Sequence, residues 1–571
     1  MSKYRSLWLS ISVVALLGAC AVTPEPFSAD KLNDQAREDR AVMFDMGEPL
    51  TGTLTISEAI ARSVKYNLDK RAKMMEEALA LGQTDLDRFD ALPKITTNAG
   101  YNSRSKPNAT ISRDYVTQTT GTGNYSYSAD RDAITHDLGL SWNILDFGVS
   151  YYTANQNADR ALISSERKRK AQHNLVSEVR FAFWRTAAWQ VLGEEMQKTA
   201  GEIRKALDTA RTVEKENLKA PLEALRYQKS LLETLRQLTA IEQELSTAPI
   251  ELAALINVPP GTTIKIAMPE ESEMKTPIWA ISPERMEEMA FSSNPDLREQ
   301  GYLTRISVAD TKKAILKMLP GINFTTTKNY DHNSFLDNNH WYEAGAKLSW
   351  NLMNVIAGPT SYKYAKTNES VVAAKRIALR MAVLAQIHVA NRQFQNAENQ
   401  FLQADELWSV DKRLADLASA RTAEDAQGVL EKVAGQASAI ASRLRRFQTY
   451  AQAESSYAKI QSTIGQDLIP QNAALHDLNV LSRVVGERLE NWKRGEFIHE
   501  KHGILNAIEL ETLASGHTLA VTAVPTTEAE KEVAIIPAVS SSGDVENSII
   551  NLMIEFIKNG LEEQDKVVGE K

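Results

Sequence analysis

The 571-residue chain contains one cysteine, Cys20, so no intrachain disulfide can form. Its nine histidines include no pair at metal-ligand spacing and no HExxH; His388, within a helical pattern, reads as a packing or solvent-facing residue. No glycine-rich loop is suited to cradling phosphates. Gly121-Thr122-Gly123 lies in a polar stretch and reads as turn chemistry. No local signature pairs a serine with a base and oxyanion donors. No catalytic residue, metal or cofactor is therefore expected, and the chain does not read as an enzyme. Positive charge is also in short supply, with 65 Lys and Arg against 73 Asp and Glu and a formal charge of −8. That balance disfavours nucleic acid, whose binding relies on cations against phosphate. Proline is absent between Phe147-Gly148 and Pro221, which leaves an uninterrupted helical pattern of roughly 70 residues, about 105 Å at 1.5 Å per residue.

The amino terminus is a targeting segment. Lys3 and Arg5 precede an apolar run from Leu7 to Leu17, followed by Gly18-Ala19-Cys20. Charged start, short apolar run and small-residue cut site make a signal peptide over 1–19. The run is far shorter than the ~20 residues that span a bilayer. Leu17-Gly18-Ala19-Cys20 resembles a bacterial lipobox, which makes Cys20 the lipidation site. Ala21, in place of Asp, favours the outer membrane by the same resemblance, and several acyl chains give stable anchoring. Residues 20–50 read as a lipidated linker.

From residue 51 onward the chain says the same thing twice. Asn67-Leu68-Asp69-Lys70-Arg71 returns as Asn294-Pro295-Asp296-Leu297-Arg298, and Leu92-Pro93 returns as Leu319-Pro320. Leu140-Ser141-Trp142-Asn143 returns as Leu348-Ser349-Trp350-Asn351. The spacing is far longer than the roughly 20–50 residues of a solenoid unit. It marks an internal two-fold repeat, with a first copy over 51–280 and a second over 281–469. Each copy is expected to run helix, β-hairpin (94–146 and 321–353), long helix and return helix.

The strands alternate. Tyr342, Ala344, Ala346, Leu348, Trp350 and Leu352 share one face, with Glu343, Gly345, Lys347, Ser349 and Asn351 on the other. In the first copy Ile134, Leu138, Leu140, Trp142 and Ile144 alternate with Thr135, Asp137, Gly139, Ser141 and Asn143. About ten residues is the length that crosses a bilayer when tilted, and Trp142, Trp350, Tyr101 and Tyr342 fall where interfacial girdles lie. A soluble antiparallel sheet with one dry face shows the same alternation. Lys106 to Arg131 reads as a long loop and Asp331 to His340 as a short one.

Thr55-Ile56-Ser57-Glu58 fits a capping box, opening a helix to about Phe89 that Pro93 ends. Ser282-Pro283 opens its counterpart toward Met318. Leu231, Leu238, Leu245 and Leu252 repeat every seven residues, with Ile241, Ala248 and Leu255 at the partner position, and Val433, Ile440 and Phe447 keep the step in the second copy. A long rod flanked by two half-rods stacked end to end follows, with the proline-rich connector Asn257 to Pro277 midway. Residues 470–571 form a C-terminal extension, partly disordered, with a charged helical stretch near Val484 to His499.

Four strands per chain leave open edges, which hydrocarbon does not tolerate. Closure across two, three or four copies is physically possible. The duplicated unit, the Asn-Leu-Asp start, the Leu-Pro before the first strand and the Leu-Ser-Trp-Asn before Phe-Gly together resemble the TolC family of outer-membrane ducts, over about residues 50–468; the lipobox resembles its lipoprotein branch. The resemblance implies a mostly α protein with membrane β. It implies a homotrimer forming one 12-stranded outer-membrane β-barrel continuous with a periplasmic α-helical barrel. It implies a passive channel in a tripartite system for drug efflux or type I protein secretion in a Gram-negative envelope, with a periplasmic adaptor (membrane fusion) protein, an inner-membrane RND or ABC pump and membrane lipids as partners.

It also implies an adaptor-contact tip at Leu218, Ala220, Pro221, Leu222 and Ala224. Tunnel-gate residues would come from Arg226, Tyr227, Arg413, Asp416, Arg421, Glu424 and Asp425, and Leu140, Trp142, Leu348 and Trp350 would face lipid. The chain departs from the family pattern in its roughly 100-residue tail and in an indistinct lower turn of the second copy. The alternative of a different class is a lipid-anchored periplasmic coiled-coil structural protein, which the heptads alone would allow.

Overall fold

The computed structural model describes residues 26–45, 47–216, 221–268, 274–420, 426–470 and 477–496. All of them belong to the first of two separable units, Met1–His517. Cys20 and the signal peptide lie outside the described residues, as does the extension beyond 496. In chain order the elements begin with α1 (Ala29–Met43), α2 (Ile56–Tyr66), α3 (Leu68–Asp90), β1 (Lys94–Ser103), β2 (Thr110–Arg113), β3 (Thr120–Ser126) and β4 (Asp132–Asn143). They continue with α4 (Ile144–Lys215), α5 (Pro221–Ser246), α6 (Ala248–Leu255), α7 (Pro283–Ser293), α8 (Pro295–Leu316), β5 (Gly321–Asp331) and β6 (His340–Ser349). The last three are α9 (Leu352–Ala420), α10 (Ala426–Thr463) and α11 (Leu478–Lys493).

The two long helices have 72 and 69 residues, about 105 Å each at 1.5 Å per residue. The heptad leucines sit where expected. Leu231, Leu238, Leu245 and Leu252 are buried, as are Val433, Ile440 and Phe447 of α10. The single return helix expected after the first rod is instead two, split at Thr247, where Pro249 in the first turn of α6 cannot continue α5.

Four further expectations need correction. The helix from Thr55 to Phe89 is two helices, α2 and α3, and the segment from Pro283 toward Met318 is α7 and α8. Both break at an asparagine with extended backbone: Asn67 (φ −60°, ψ 126°) and Asn294 (φ −63°, ψ 126°). Second, the Thr55 hydroxyl caps Glu58 N at 3.2 Å, but the Glu58 carboxylate accepts from Arg62 Nε at 2.8 Å rather than closing a box. Third, the Lys106–Arg131 loop contains the β2–β3 hairpin, whose turn is held by Asp114 Oδ1 accepting from Val116 N (2.9 Å) and Thr117 N (2.8 Å). Fourth, the linker over 20–50 contains the exposed helix α1, capped by Ser28 and tied at its end by Asn257 Nδ2 donating to the Met43 carbonyl at 2.9 Å.

The connector docks on α4, and the start of the tail packs on α2. Gln190 donates to the Ile266 carbonyl (3.1 Å) and accepts from Ile266 N (2.7 Å). Leu54 pairs with Ile266 in a parallel bridge. Helix α11 packs on α2, burying Leu481, Val485, Leu489 and Trp492. Tyr457 of α10 donates its hydroxyl to the Trp492 carbonyl.

Candidate duct wall

The chemistry-bearing feature is a wall four elements wide. The sheet order is β1-β4-β5-β6, all antiparallel. Next to the sheet the helices pack in the order α3-α4-α8-α9, and farther along α4 in the order α5-α4-α10-α9. Since β1 follows α3, β4 precedes α4, β5 follows α8 and β6 precedes α9, every strand continues a helix in the same column. Columns meet end to end at the two asparagines. Asn67 Oδ1 caps Lys70 N at 3.0 Å while its Nδ2 donates to the Leu255 carbonyl at the end of α6 (3.4 Å). Asn294 Oδ1 caps Asp296 N (2.9 Å) and Leu297 N (3.1 Å) while its Nδ2 donates to the Thr463 carbonyl at the end of α10 (2.8 Å). One side chain thus satisfies the free amides of one helix and a free carbonyl of the helix abutting it.

Buried ion pairs lock the inner columns. Arg180 of α4 pairs with Glu454 of α10, its guanidinium 5.7 Å from the Tyr457 ring centroid. Arg169 bridges Glu166 and Asp467, and His173 Nε2 lies 2.6 Å from Asp467 Oδ1. Burial pushes the Tyr450 and Tyr457 phenols well above their ordinary range. In α3 burial pulls the Lys70 ammonium down to about 7, with Lys168 nearby adding to the shift.

The sheet has two unlike faces, and neither is covered. Ile95, Leu140, Thr326 and Ala344 form one cross-strand row, and Trp142, Phe324 and Ala346 another. The opposite face carries Thr96, Gly139, Thr327 and Glu343 in one row and Asn98, Asp137 and Asn329 close by. Leu348 is 66% exposed and Trp350 54%. All four proposed lipid-facing residues, Leu140, Trp142, Leu348 and Trp350, share the apolar face. Aromatic residues mark both ends of it: Tyr101, Tyr330 and Tyr342 away from the helices, Trp142, Phe324 and Trp350 beside them. Trp142 packs edge-on against Phe147 at 5.6 Å, and Trp350 Nε1 donates to the Met318 carbonyl at 3.0 Å.

The two edges of the wall are unfinished. Strands β1 and β6 each pair on one side only. Below them, Met75, Leu79, Leu86 and Phe89 of α3 and Leu222, Leu225 and Leu232 of α5 are exposed along one edge. Ile356, Tyr364, Ile377 and Met381, then Leu402, Leu407, Leu414 and Leu417 of α9, are exposed along the other. Apolar stripes of this extent mark an association surface.

Of the tip residues, Leu218 and Ala220 lie outside the described residues. Pro221 opens α5, Leu222 is exposed and Ala224 is buried. Of the expected gate residues, Arg421, Glu424 and Asp425 lie outside the described residues. Arg226 and Tyr227 sit on α5, and Arg413 and Asp416 on α9. These are opposite edge columns, so a single chain does not bring the four together. Tyr227 is half-buried, which raises its phenol; Arg413 Nε donates to the Ser409 carbonyl at 3.2 Å. The end-to-end role of Asn67 and Asn294 was missed from sequence, although their repetition, each two residues before an Asp, was the available signal. Among the described residues no cluster of His, Cys, Asp or Glu is arranged to hold a metal, and no helix is long and apolar enough to cross a membrane.

Solved structures share this arrangement. The outer-membrane channel OprN superposes with a TM-score of 0.55 at 14% identity, covering 72% of this chain and 89% of its own. The outer membrane protein VceC of Vibrio cholerae gives 0.53 at 12%, covering 72% and 96%. The CmeC outer membrane channel of Campylobacter jejuni gives 0.53 at 12%, covering 78% and 90%. The chain has the TolC-type channel fold. No protein-family model and no curated protein sequence matches it.

Proposed function

We propose that the protein is the outer-membrane channel of a tripartite export system, a passive exit duct lipid-anchored at Cys20. The observation that carries this reading is the match between strand order and helix order in a wall with two open, apolar edges. The edges are different surfaces, so copies join edge to edge in a heterologous contact that closes into a ring. Three copies, by the family resemblance, give twelve strands and a helical tunnel below. The apolar sheet face meets lipid and the threonine- and asparagine-rich face lines the lumen. Ring closure also brings α5 of one copy beside α9 of the next, so Arg226 and Tyr227 meet Arg413 and Asp416 only in the assembly. The proposed partners are a periplasmic adaptor at the α4–α5 and α9–α10 turns and an inner-membrane RND or ABC pump, which supplies the energy.

The structurally similar OprN and CmeC are outer-membrane channels, which supports export as the role and the outer membrane as the location. Reconstitution of the purified protein in planar bilayers tests the duct: discrete ion-conducting steps are expected, and their absence would contradict it. Crosslinked pull-down from intact envelopes then separates the cargo classes. Recovery of a proton-driven multidrug-type pump makes this an efflux duct, and recovery of an ATP-driven exporter makes it a secretion duct. Recovery of wall components alone, without either pump, favours the structural lipoprotein.

A further inference from the structure

The apolar sheet face carries a patch of basic and aromatic side chains at its end away from the helices. Lys328 of β5 shares a cross-strand row with Leu138 and Tyr342, and its ammonium lies 5.5 Å over the Tyr342 ring. In the next row outward His136, Tyr330 and His340 stand side by side across three strands. Their ring centroids are 6.0 Å and 6.4 Å apart, each pair tilted by 20°. His332 follows on the same face, its Nδ1 3.4 Å from the Tyr330 hydroxyl. All of these side chains are exposed.

Among the described residues Lys328 has no carboxylate within ion-pair distance. The carboxylate on this face is Asp132, two rows beyond His136 at the strand end, held by Ser103 Oγ at 2.5 Å and by Arg131 at 3.5 Å. Asp137, Asp331 and Glu343 alternate onto the opposite face.

A lysine on a lipid-facing surface is tolerated where its ammonium can reach head groups. Tyrosine rings settle at that same level, and histidine likewise pairs a ring face with a polar tip. The patch therefore lies at the outer interface, and its rows at strand positions 328 and 330 are about 7 Å apart along the strand. A fixed cation, imidazole N–H donors and ring faces together suit a phosphate attached to a sugar. We propose that Lys328, His136 and His340, with the Tyr330 and Tyr342 rings, bind the phosphate of an outer-leaflet phosphoglycolipid. The proposal rests on the reading of the sheet as a membrane wall.

The test is native mass spectrometry of the delipidated full-length protein in detergent, titrated with bisphosphorylated lipid A and with the same lipid stripped of phosphate. The wild type should retain the phosphorylated form at a concentration at least tenfold lower. Lys328→Met combined with His340→Ala should reduce that preference below threefold, and Lys328→Arg alone should keep it. Methionine suits a lipid-facing strand, and unchanged planar-bilayer conductance shows that the variant wall is intact. Equal retention of the two lipids by the wild type, or an undiminished preference in the double variant, would overturn the proposal. Displacement of the lipid by millimolar inorganic phosphate would also overturn it, since the site would then take the free ion. Wild-type conductance is the separate test of the duct: its absence with the lipid preference retained would count against the duct alone.

Discussion

Single side chains hold the columns together, and their effects can be isolated. Asn294 is buried and joins α8 to α10 through both ends of its amide. Asn294→Ala removes a helix cap and strands the Thr463 carbonyl, so a loss of about 2 kcal/mol is expected. Asn294→Asp keeps the capping oxygen but loses the donor, and should fall between. Thermal melts of the detergent-extracted protein measure both; equal stability of all three would remove the joint from the account.

Lys70 makes a pH prediction. Its ammonium donates to the Val64 carbonyl at 2.8 Å, and its folded pKa of about 7 lies below the ordinary lysine value of about 10.4. Between those values the unfolded chain binds more protons, so stability rises with pH across that window, and below it the full cost of burying the charge applies. Lys70→Met should raise the melting temperature at pH 7 and lose that advantage as the pH approaches 10. A gain that grew with pH would have the wrong sign. Gly465, at φ +75°, packs against the Ser293 carbonyl where a Cβ would stand. Gly465→Ala should accordingly disturb the same joint, read as lost protection from proteolysis at the α7–α8 break.

At the scale of elements, the sheet faces divide the outcomes. Leu348→Arg places a charge on the apolar face and should cost about 2–4 kcal/mol if that position lies near mid-membrane, less toward an interface. Ser349→Arg, one residue on, points to the polar face and should be tolerated. Heat-modifiable gel mobility of the assembled protein reads both, and equal sensitivity would indicate a sheet in water. Much at this scale was legible in the sequence. Alternation placed Leu140, Trp142, Leu348 and Trp350 on one face because a strand has period two and leaves few other solutions. The heptad leucines were equally plain, since one stripe of α5 has to face α4 and α10.

The helix breaks at Asn67 and Asn294 are faint in the sequence: their repetition before Asp69 and Asp296 is a signal, but an asparagine inside a helical pattern costs little by propensity, and its capping role depends on a helix end delivered from far along the chain. The β2–β3 hairpin was hidden for a related reason. Its strands are short, polar and fixed by one Asp114 turn rather than by an apolar face. Helix α11 starts at Leu478, ahead of the charged stretch near Val484, because the Asp477 side chain caps it there.

For the whole molecule, the column order explains why each chain is built as an unfinished wall. The helices share a buried core, while the sheet faces stay open and apolar side chains of α3, α5 and α9 are exposed, as the proposed ring of copies requires. The proposed gate residues Arg226, Tyr227, Arg413 and Asp416 fit the same proposal, divided between opposite edge columns of one chain. The most direct measurement is axial imaging of single detergent-extracted particles, counting subunits and strands. Three copies in one closed ring are expected, each supplying four strands and joined β1 to β6. Monomers, or chains joined face to face with both edges left free, would contradict it.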